Sequence, residues 1–377
     1  MKVTVLFPNV ATGGQVSHVC FSIYGNFPER SEAHIHCHSL EKGFRSPVAC
    51  PAVPPALNRI AWRLEKVHPF VHARTVGRFL RDAGARKGAA ILWPGAVVEA
   101  AKALRAQGCE IVMEMINCHQ ATARRILIDA YTRAGMAVEH GIAEQSVARE
   151  AEVYAIADAI FSPSPMTRLS LLENGVPEEK ILDTAFGWSP EHNRVLVAGA
   201  PKADAFTAIF AGTVCVRKGA HLLASAWRDA GIRDGRLQFA GAITGDFAEG
   251  RASLLTGDGI SCLGHRTDLP NLLAASHVFA FPTLEEGGPI VTYEAAAAGL
   301  AILTTPMGAG AVIRNGIDGI VLDPFDHDGW VQALRMLASD ASLRSRLGEA
   351  ARRRAQDFTF EKTALQRCKA LEQRFGA

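Results

Sequence analysis

Nowhere in this 377-residue chain does an apolar run approach the roughly 20 residues needed to cross a bilayer, so no transmembrane helix is expected. Excess charge of one sign is also missing. Forty Lys and Arg face 38 Asp and Glu, a net charge of +2, which lacks the basic surplus of a dedicated nucleic-acid binder. Cysteine pairing signals are absent. Cys20, Cys37, Cys50, Cys109, Cys118, Cys215, Cys262 and Cys368 are scattered without a CxxC pair, which argues against a disulfide framework and a structural zinc site. No signal-peptide pattern opens the sequence, and the expected setting is a reducing cytoplasm. What is present, 48% hydrophobic and 21% charged residues, is a globular composition in a chain too long for one ordinary core. Two domains are expected.

Both halves alternate strand-like and helix-like segments. In the first, Val3, Val5 and Phe7 alternate along an opening strand that leads into the small-residue turn Ala11-Thr12-Gly13-Gly14-Gln15 and a helix from about Val16. Apolar runs at 89–93, 110–115 and 158–162 read as further strands, residues 97–107 as a helix, and 116–150 as mostly helical. Ser164-Pro165 supplies an N-cap and a first-turn proline, and Gly175 a stop. Strand character fades between Phe186 and Ala203, which reads as a linker. A second series then follows: strands at 205–211, 236–240, 260–263, 278–282 and 301–305, with helices at 221–230, 269–276, 289–298 and 330–338. The tail places Ala364, Leu365, Cys368, Leu371 and Phe375 at helical spacing, with one face expected to be buried. The pattern predicts an α/β protein of two doubly wound, Rossmann-like domains facing across a cleft, at 1–190 and 204–357. A final helix, 358–377, would return toward the first domain.

The most informative segment is 281–300, FPTLEEGGPIVTYEAAAAGL. A strand delivers Glu286 to its C-terminal edge, Gly287 and Gly288 turn the chain, and a helix opens at Pro289 with Ile290 and Val291 in its first turn. The amides of a helix start carry partial positive charge and suit a phosphate. Glu294 lies about 7.5 Å further along the axis, too far from Glu286 for the two carboxylates to serve as an acid–base pair on one bond, but well placed to hold separate parts of an elongated ligand. Upstream, Gly212-Thr213-Val214-Cys215-Val216-Arg217-Lys218-Gly219 links a strand to a helix and carries two adjacent cations.

These features resemble the retaining GT-B glycosyltransferases of the glycosyl transferases group 1 type, with their E-x7-E motif. The resemblance covers about Ala155 to the C-terminus well and the first 150 residues loosely. It implies a GT-B fold and transfer of a hexose from a UDP- or GDP-sugar to a hydroxyl of a glycan or lipid-linked acceptor, without metal or another cofactor, in cell-surface polysaccharide or glycoconjugate synthesis. It further implies that Glu286 holds the donor sugar and Glu294 the ribose, that Arg217 and Lys218 meet the diphosphate beside Gly212, and that Gly264-His265-Arg266 lines the nucleobase. Gly13 and Gly14 would lie against the donor phosphate and the acceptor, and His119 would touch the transferred sugar. The sequence departs from the family at Thr213, where a cation is usual, at Pro289, which replaces a glycine and removes one amide donor, and at Ala311, where a glutamate is common. These departures keep open a non-catalytic nucleotide-sugar-binding protein; a nucleotide-sugar epimerase of the same fold is the rival enzyme.

Bland alternatives accompany several of these residues: a tight turn at Gly13-Gly14, a structural histidine at His119 and a solvated basic loop at Arg217-Lys218. His34, His36 and His38 fall on one side of a strand, but no second cluster of carboxylates or thiols stands at metal-ligand spacing with them in sequence, and no metal is expected there. Asp326-His327-Asp328 reads as a helix cap rather than a metal motif. Arg74, Arg78, Arg81, Arg86, Lys87, Arg124 and Arg125 cluster in the first half; they suit an anionic membrane surface at the inner face, or a solvated helix face.

Overall fold

The computed structural model describes every residue except Met1, Gly13, 29–31, 55–67, Ala96, His192, 199–201, Asp258 and Ala377. Two parallel sheets dominate it. The first has seven strands in the order β3-β2-β1-β4-β5-β6-β7, and the second six in the order β10-β9-β8-β11-β12-β13. The N-terminal sheet comprises β1 (Val3–Ala11), β2 (Ala33–Leu40), β3 (Ala49–Pro51), β4 (Ala89–Leu92), β5 (Glu110–Glu114), β6 (Ala159–Ser162) and β7 (Ile181–Asp183). The C-terminal sheet comprises β8 (Thr207–Ala211), β9 (Arg236–Ala240), β10 (Ile260–Gly264), β11 (Val278–Phe281), β12 (Ala301–Thr304) and β13 (Gly319–Val321). Every strand pair is parallel. Helices must therefore cover both faces, which is why the strands read as unbroken apolar runs rather than alternating ones: all of β4, β6, β8, β11 and β12 is buried.

In each sheet the strand order reverses direction at one point, between β1 and β4 and between β8 and β11. Loops leaving the C-terminal ends of those neighbouring strands diverge and leave a crevice, the usual ligand position of this architecture.

Several local expectations needed revision. β1 runs four residues past Phe7, with a register shift between Phe7 and Val10. The short edge strands β3 and β7, and β13, lack a strong pattern and are set by pairing with neighbours. The stretch 116–150 is mostly helical as expected, in two helices, Gln120–Arg133 and Glu144–Ile156, with irregular chain between them. The stretch after Phe186 is not a bare linker. Trp188 is fully buried, bridges to Thr359, and donates its indole N–H to the Ala355 carbonyl at 2.9 Å, and a short helix, Arg194–Ala198, follows. A side chain of that size is worth about 3–5 kcal/mol by truncation when buried, enough to pin the crossover.

The chain ends in the helices Ala341–Ala355 and Phe360–Phe375. The last packs on the helix Gln15–Gly25, with the His18 and Phe360 rings 5.4 Å apart. Its buried face is Phe360, Thr363, Ala364, Arg367, Cys368 and Leu371; Leu365 is 44% exposed, one position off that stripe. Arg367 is wholly buried. It pairs with Glu114 of β5 and donates to the Ala185 carbonyl at 3.2 Å, while Tyr24 donates to the same carboxylate oxygen at 3.0 Å. Its guanidinium lies 4.8 Å from the Phe161 ring centroid. Burial pushes the Glu114 carboxyl up, and Arg367 opposes that shift.

Candidate functional site

The site is built where β8 and β11 hand the chain to their helices. Gly212 (φ +136°) and Gly219 (φ +69°) bound the loop after β8, both in backbone regions closed to most side chains. A Cβ on Gly219 would also run into the Pro282 carbonyl, so only glycine lets this loop lie against the exit of β11. The two loops are stitched together: Leu284 N–H donates to the Arg217 carbonyl at 2.9 Å. That join fixes the next side chains. The Lys218 ammonium contacts Glu286, 5.4 Å from the Phe281 ring centroid. Arg217 Nη1 lies 3.2 Å from Glu285 Oε2, 3.2 Å from the Glu285 carbonyl and 3.7 Å from Glu286 Oε1. Thr283 Oγ1 donates to Glu286 Oε1 at 3.4 Å.

Both carboxylates are buried, Glu285 to 2% and Glu286 to 7% exposure. Burial first, and then the Arg217 charge beside it, pushes the Lys218 ammonium down to about 7. One turn into the helix Ile290–Ala297, burial lifts the Glu294 carboxyl to about 7, against a hydrogen bond from Asn193 Nδ2 at 3.4 Å. Glu294 keeps a partly exposed edge, so it is desolvated yet reachable. Pro289 caps this helix rather than starting it, and makes no side-chain cap bond to its first amides. Ile290 and Val291, in the first turn, are half-buried.

Gly287 and Gly288 carry a second requirement that the sequence did not signal. A Cβ on Gly287 would strike the Ile116 carbonyl and sit 2.8 Å from Asn117 N; one on Gly288 would sit 3.0 Å from the Phe186 ring. Both neighbours belong to the N-terminal half, so this turn is where the two domains touch. Cys118 N–H, from the loop after β5, donates to Glu285 Oε1 at 3.3 Å across the same seam. Cys118, Ala123 and Met307 form a small apolar cluster beside it, and Arg251 reaches the Ala134 carbonyl.

The other residues singled out from the sequence are placed as follows. Thr213 is exposed at the mouth of the β8 loop. His265 and Arg266 are exposed at the C-terminal end of β10, with Arg266 held by Asp268 through bonds of 2.8 and 2.7 Å. Gly14 is the exposed N-cap of the helix Gln15–Gly25, beside a Thr12–Ser17 hydroxyl knot (2.8 Å); Gly13 lies outside the described residues, as does His192 in the crossover. His119 is buried, and its Nδ1 accepts from Ala121 N–H at 3.1 Å, capping the helix Gln120–Arg133; burial pushes its pKa down. Glu150 accepts from Gln120 N–H at 2.7 Å next to it. Asp326 caps its helix by accepting from Gly329 N–H at 3.0 Å.

The histidine row has partners that the sequence did not pair with it. Cys50 lies opposite His36 in the β2–β3 register, and Asp82 meets His34 Nδ1 at 2.7 Å and His36 Nε2 at 2.9 Å. Ligand atoms of His34, His36 and Cys50 lie within 4.8 Å of one another. Asp82 takes an imidazole nitrogen from each histidine and Arg86 Nη1 sits 3.1 Å from His34 Nε2, while Arg78 and Arg81 line the same hollow, a positive setting that opposes a cation. The basic cluster is likewise engaged in part: Arg74 and Arg78 donate to the Ala52 and Pro51 carbonyls, and Arg124 and Arg125 pair with Glu144 and Glu173.

Glu285, Cys118 and Asn193 escaped the sequence reading. The doublet Glu285-Glu286 was a usable signal for the first; nothing local marks Asn193, whose partner is 101 residues away.

Two hollows open near the strand C-terminal ends. One, of about 440 Å³, runs between the halves past Ile126, Met166, Thr283, Thr305 and Phe325; another, of about 430 Å³, lies over Gly95, Met113, Gln120 and Glu150. A third, of about 650 Å³ around Lys2, Lys87 and Glu110, sits at the N-terminal strand ends, the side this architecture does not use for ligands.

Two facing parallel α/β domains with a cationic loop and paired glutamates at the cleft define a protein of the GT-B fold. Solved structures agree across the whole chain. The lipopolysaccharide outer core galactosyltransferase WaaB, in its apo form, superposes with a TM-score of 0.71 at 13% identity over all of both chains. HepE of Anabaena, solved in complex with UDP, superposes with a TM-score of 0.68 at 14% identity over 99% of this chain and all of that one. Residues 205–340 match the family model described as glycosyl transferases group 1. A curated relative, the Escherichia coli UDP-Gal:alpha-D-GlcNAc-diphosphoundecaprenol alpha-1,3-galactosyltransferase, is 38% identical over 82 residues; the match spans 22% of this chain and 21% of that enzyme.

Proposed function

We propose that this protein transfers a hexose from a UDP- or GDP-sugar to a hydroxyl of a glycan or lipid-linked acceptor, with retention at the anomeric carbon and without a metal. The observation that carries the reading is the Arg217, Lys218 and Glu286 cluster at the β8–β11 switch point, with Glu286 buried and the two cations half-buried. Glycosyl transfer is limited by charge separation as the anomeric bond breaks. Fixed cations at the leaving diphosphate lower that barrier because they need no reorganisation when charge appears, an effect of about 3–4 kcal/mol for one well-aimed donor group. Lys218 and Arg217 supply the charge, and the uncapped amides after Pro289 add a partial one. Glu286 then accepts hydrogen bonds from sugar hydroxyls, and Glu294 from the ribose. The two domains meet closely at Gly287, and a cleft closed there would exclude water and so favour transfer over hydrolysis. The leaving phosphate can itself receive the acceptor proton, so no protein nucleophile is required.

Lys218 and Glu286 are paired with each other. A donor must part them, its diphosphate taking the lysine and its sugar the carboxylate. Glu286→Ala therefore abolishes transfer while nucleotide affinity holds or rises, since the diphosphate loses a competitor. Turnover assayed against a panel of UDP- and GDP-sugars, beside calorimetric nucleotide binding, tests both parts; surviving turnover in Glu286→Ala refutes the assignment. Thr213, exposed where a cation is usual, favours a second reading as a nucleotide-sugar-binding protein without turnover, which the same wild-type assay decides. A lipid-linked acceptor would bring the protein to an anionic membrane surface through Arg81 and Lys87, a contact that sedimentation with anionic vesicles detects. Among the described residues, no helix is long and apolar enough to cross a membrane.

A further inference from the structure

We infer that Glu285 is a positioning residue that ties the diphosphate-binding loop to the opposite domain, so that it sets how the bound diphosphate is aligned with that domain. The inference rests on the transfer reading above and extends it to a residue outside the E-x7-E pair.

The geometry is specific. Glu285 is 2% exposed, and an unpaired carboxylate at such depth costs several kcal/mol, so its partners define its role. Its Oε2 faces Arg217 Nη1 at 3.2 Å, and the same guanidinium nitrogen bonds its backbone carbonyl at 3.2 Å. Its Oε1 turns to the other domain and accepts from Cys118 N–H at 3.3 Å, with the Cys118 thiol at 3.4 Å. One carboxylate thus holds a phosphate-directed cation with one oxygen and the opposing domain with the other. The anchor on the far side is itself rigid. Cys118 precedes His119, which caps the helix Gln120–Arg133, and His119 N–H donates to Ser170 Oγ at 2.9 Å. One residue earlier in the bridge's own frame, Leu284 N–H is bonded to the Arg217 carbonyl, so Glu285 cannot shift without moving the cationic loop.

Two consequences of opposite sign follow. As a negative charge on Arg217, Glu285 weakens the pull of that cation on an incoming diphosphate. As a bridge to Cys118, it sets the distance between donor phosphates and the domain that presents the acceptor. Removing its charge should therefore tighten nucleotide binding while slowing transfer, a combination that a general loss of packing does not give.

The experiment compares wild type, Glu285→Gln and Glu285→Asp, with UDP and GDP as probes in calorimetry and nucleotide-sugar turnover as the second readout. Glu285→Gln should bind the diphosphate about three- to tenfold tighter, since a neighbouring negative charge is gone. Its kcat should fall by about tenfold or more because the amide holds the bridge less firmly and reacting groups lose alignment. Glu285→Asp keeps the charge on Arg217 but falls short of Cys118, and should bind like wild type yet show the same kcat loss. Weaker binding in Glu285→Gln, or wild-type kcat in both variants, overturns the inference. If wild type binds neither nucleotide nor turns over any sugar donor, the transfer reading itself fails; if wild type does both and the variants match it, only the role of Glu285 falls.

Discussion

The depressed Lys218 ammonium makes donor binding a proton-linked event whose size can be worked out. Without donor, Lys218 titrates near 7, because burial and Arg217 outweigh its favourable neighbours. A bound diphosphate would restore it toward the ordinary amine range, near 10. The sign follows from linkage: above pH 7 the free protein lacks a proton that the complex holds, so binding takes one up and weakens as pH rises. At pH 8 about nine-tenths of the free lysines are neutral, so affinity should fall close to tenfold per pH unit, or about 1.4 kcal/mol. Glu294 acts in the other direction. Its carboxyl is raised to about 7, so below that pH it is protonated and accepts ribose hydroxyl bonds poorly. Affinity should therefore peak near neutrality. The assay is calorimetric titration with UDP-glucose and GDP-mannose, whose diphosphate diesters do not titrate in this range. Repeating it in buffers of different ionisation enthalpy counts protons, and about 0.9 should be taken up at pH 8. Lys218→Met should bind more weakly at pH 7 and lose the alkaline arm while keeping the acid one. A flat alkaline arm in wild type, or an unchanged slope in Lys218→Met, refutes the reasoning.

Arg367→Met should destabilise the protein by about 3–5 kcal/mol in urea unfolding, because it strands the Glu114 carboxylate in the core. Adding Glu114→Gln should restore much of that loss, and an Arg367→Met cost below about 1 kcal/mol would contradict the account. Gly287→Ala places a methyl against the Ile116 carbonyl and 2.8 Å from Asn117 N, backbone atoms that cannot rotate aside. The two domains must part, so kcat should drop about tenfold or more and the radius of gyration by X-ray scattering should grow, with nucleotide affinity little changed. Wild-type turnover in Gly287→Ala would show that the seam does not gate the reaction.

Periodicity and punctuation carried much of the fold. The buried strands of a parallel sheet have to be continuous apolar runs, so β4, β5, β6, β8, β11 and β12 were legible within a residue or two, as were the less buried β9 and β10. Ser164 was recognisable as a cap, and it does accept from Thr167 N–H at 3.2 Å, because capping depends only on residues a turn apart. The short strands β3, β7 and β13 were not legible, since three residues hold no period and only a neighbouring strand makes them strands. The tail shows the boundary within one helix: spacing found Ala364, Cys368 and Leu371, but chose Leu365 over Arg367, because no hydrophobic pattern admits a buried arginine whose carboxylate partner lies 253 residues away.

The sequence by itself determined the class of chemistry within reach: two alternating α/β halves, and a loop with Arg217 and Lys218 followed by Glu286 and Glu294 with seven residues between them. Those features are local, written in composition and spacing over a few turns. Tertiary structure alone decided how they are used. Lys218 is turned onto Glu286 by the packing of two loops of one sheet, and Asn193 reaches Glu294 from the crossover, while Glu285 meets Cys118 and Gly287 lies under Ile116 only because the two sheets close on one another. Burial, not residue type, also brings the Lys218 amine and the Glu294 carboxyl to about 7.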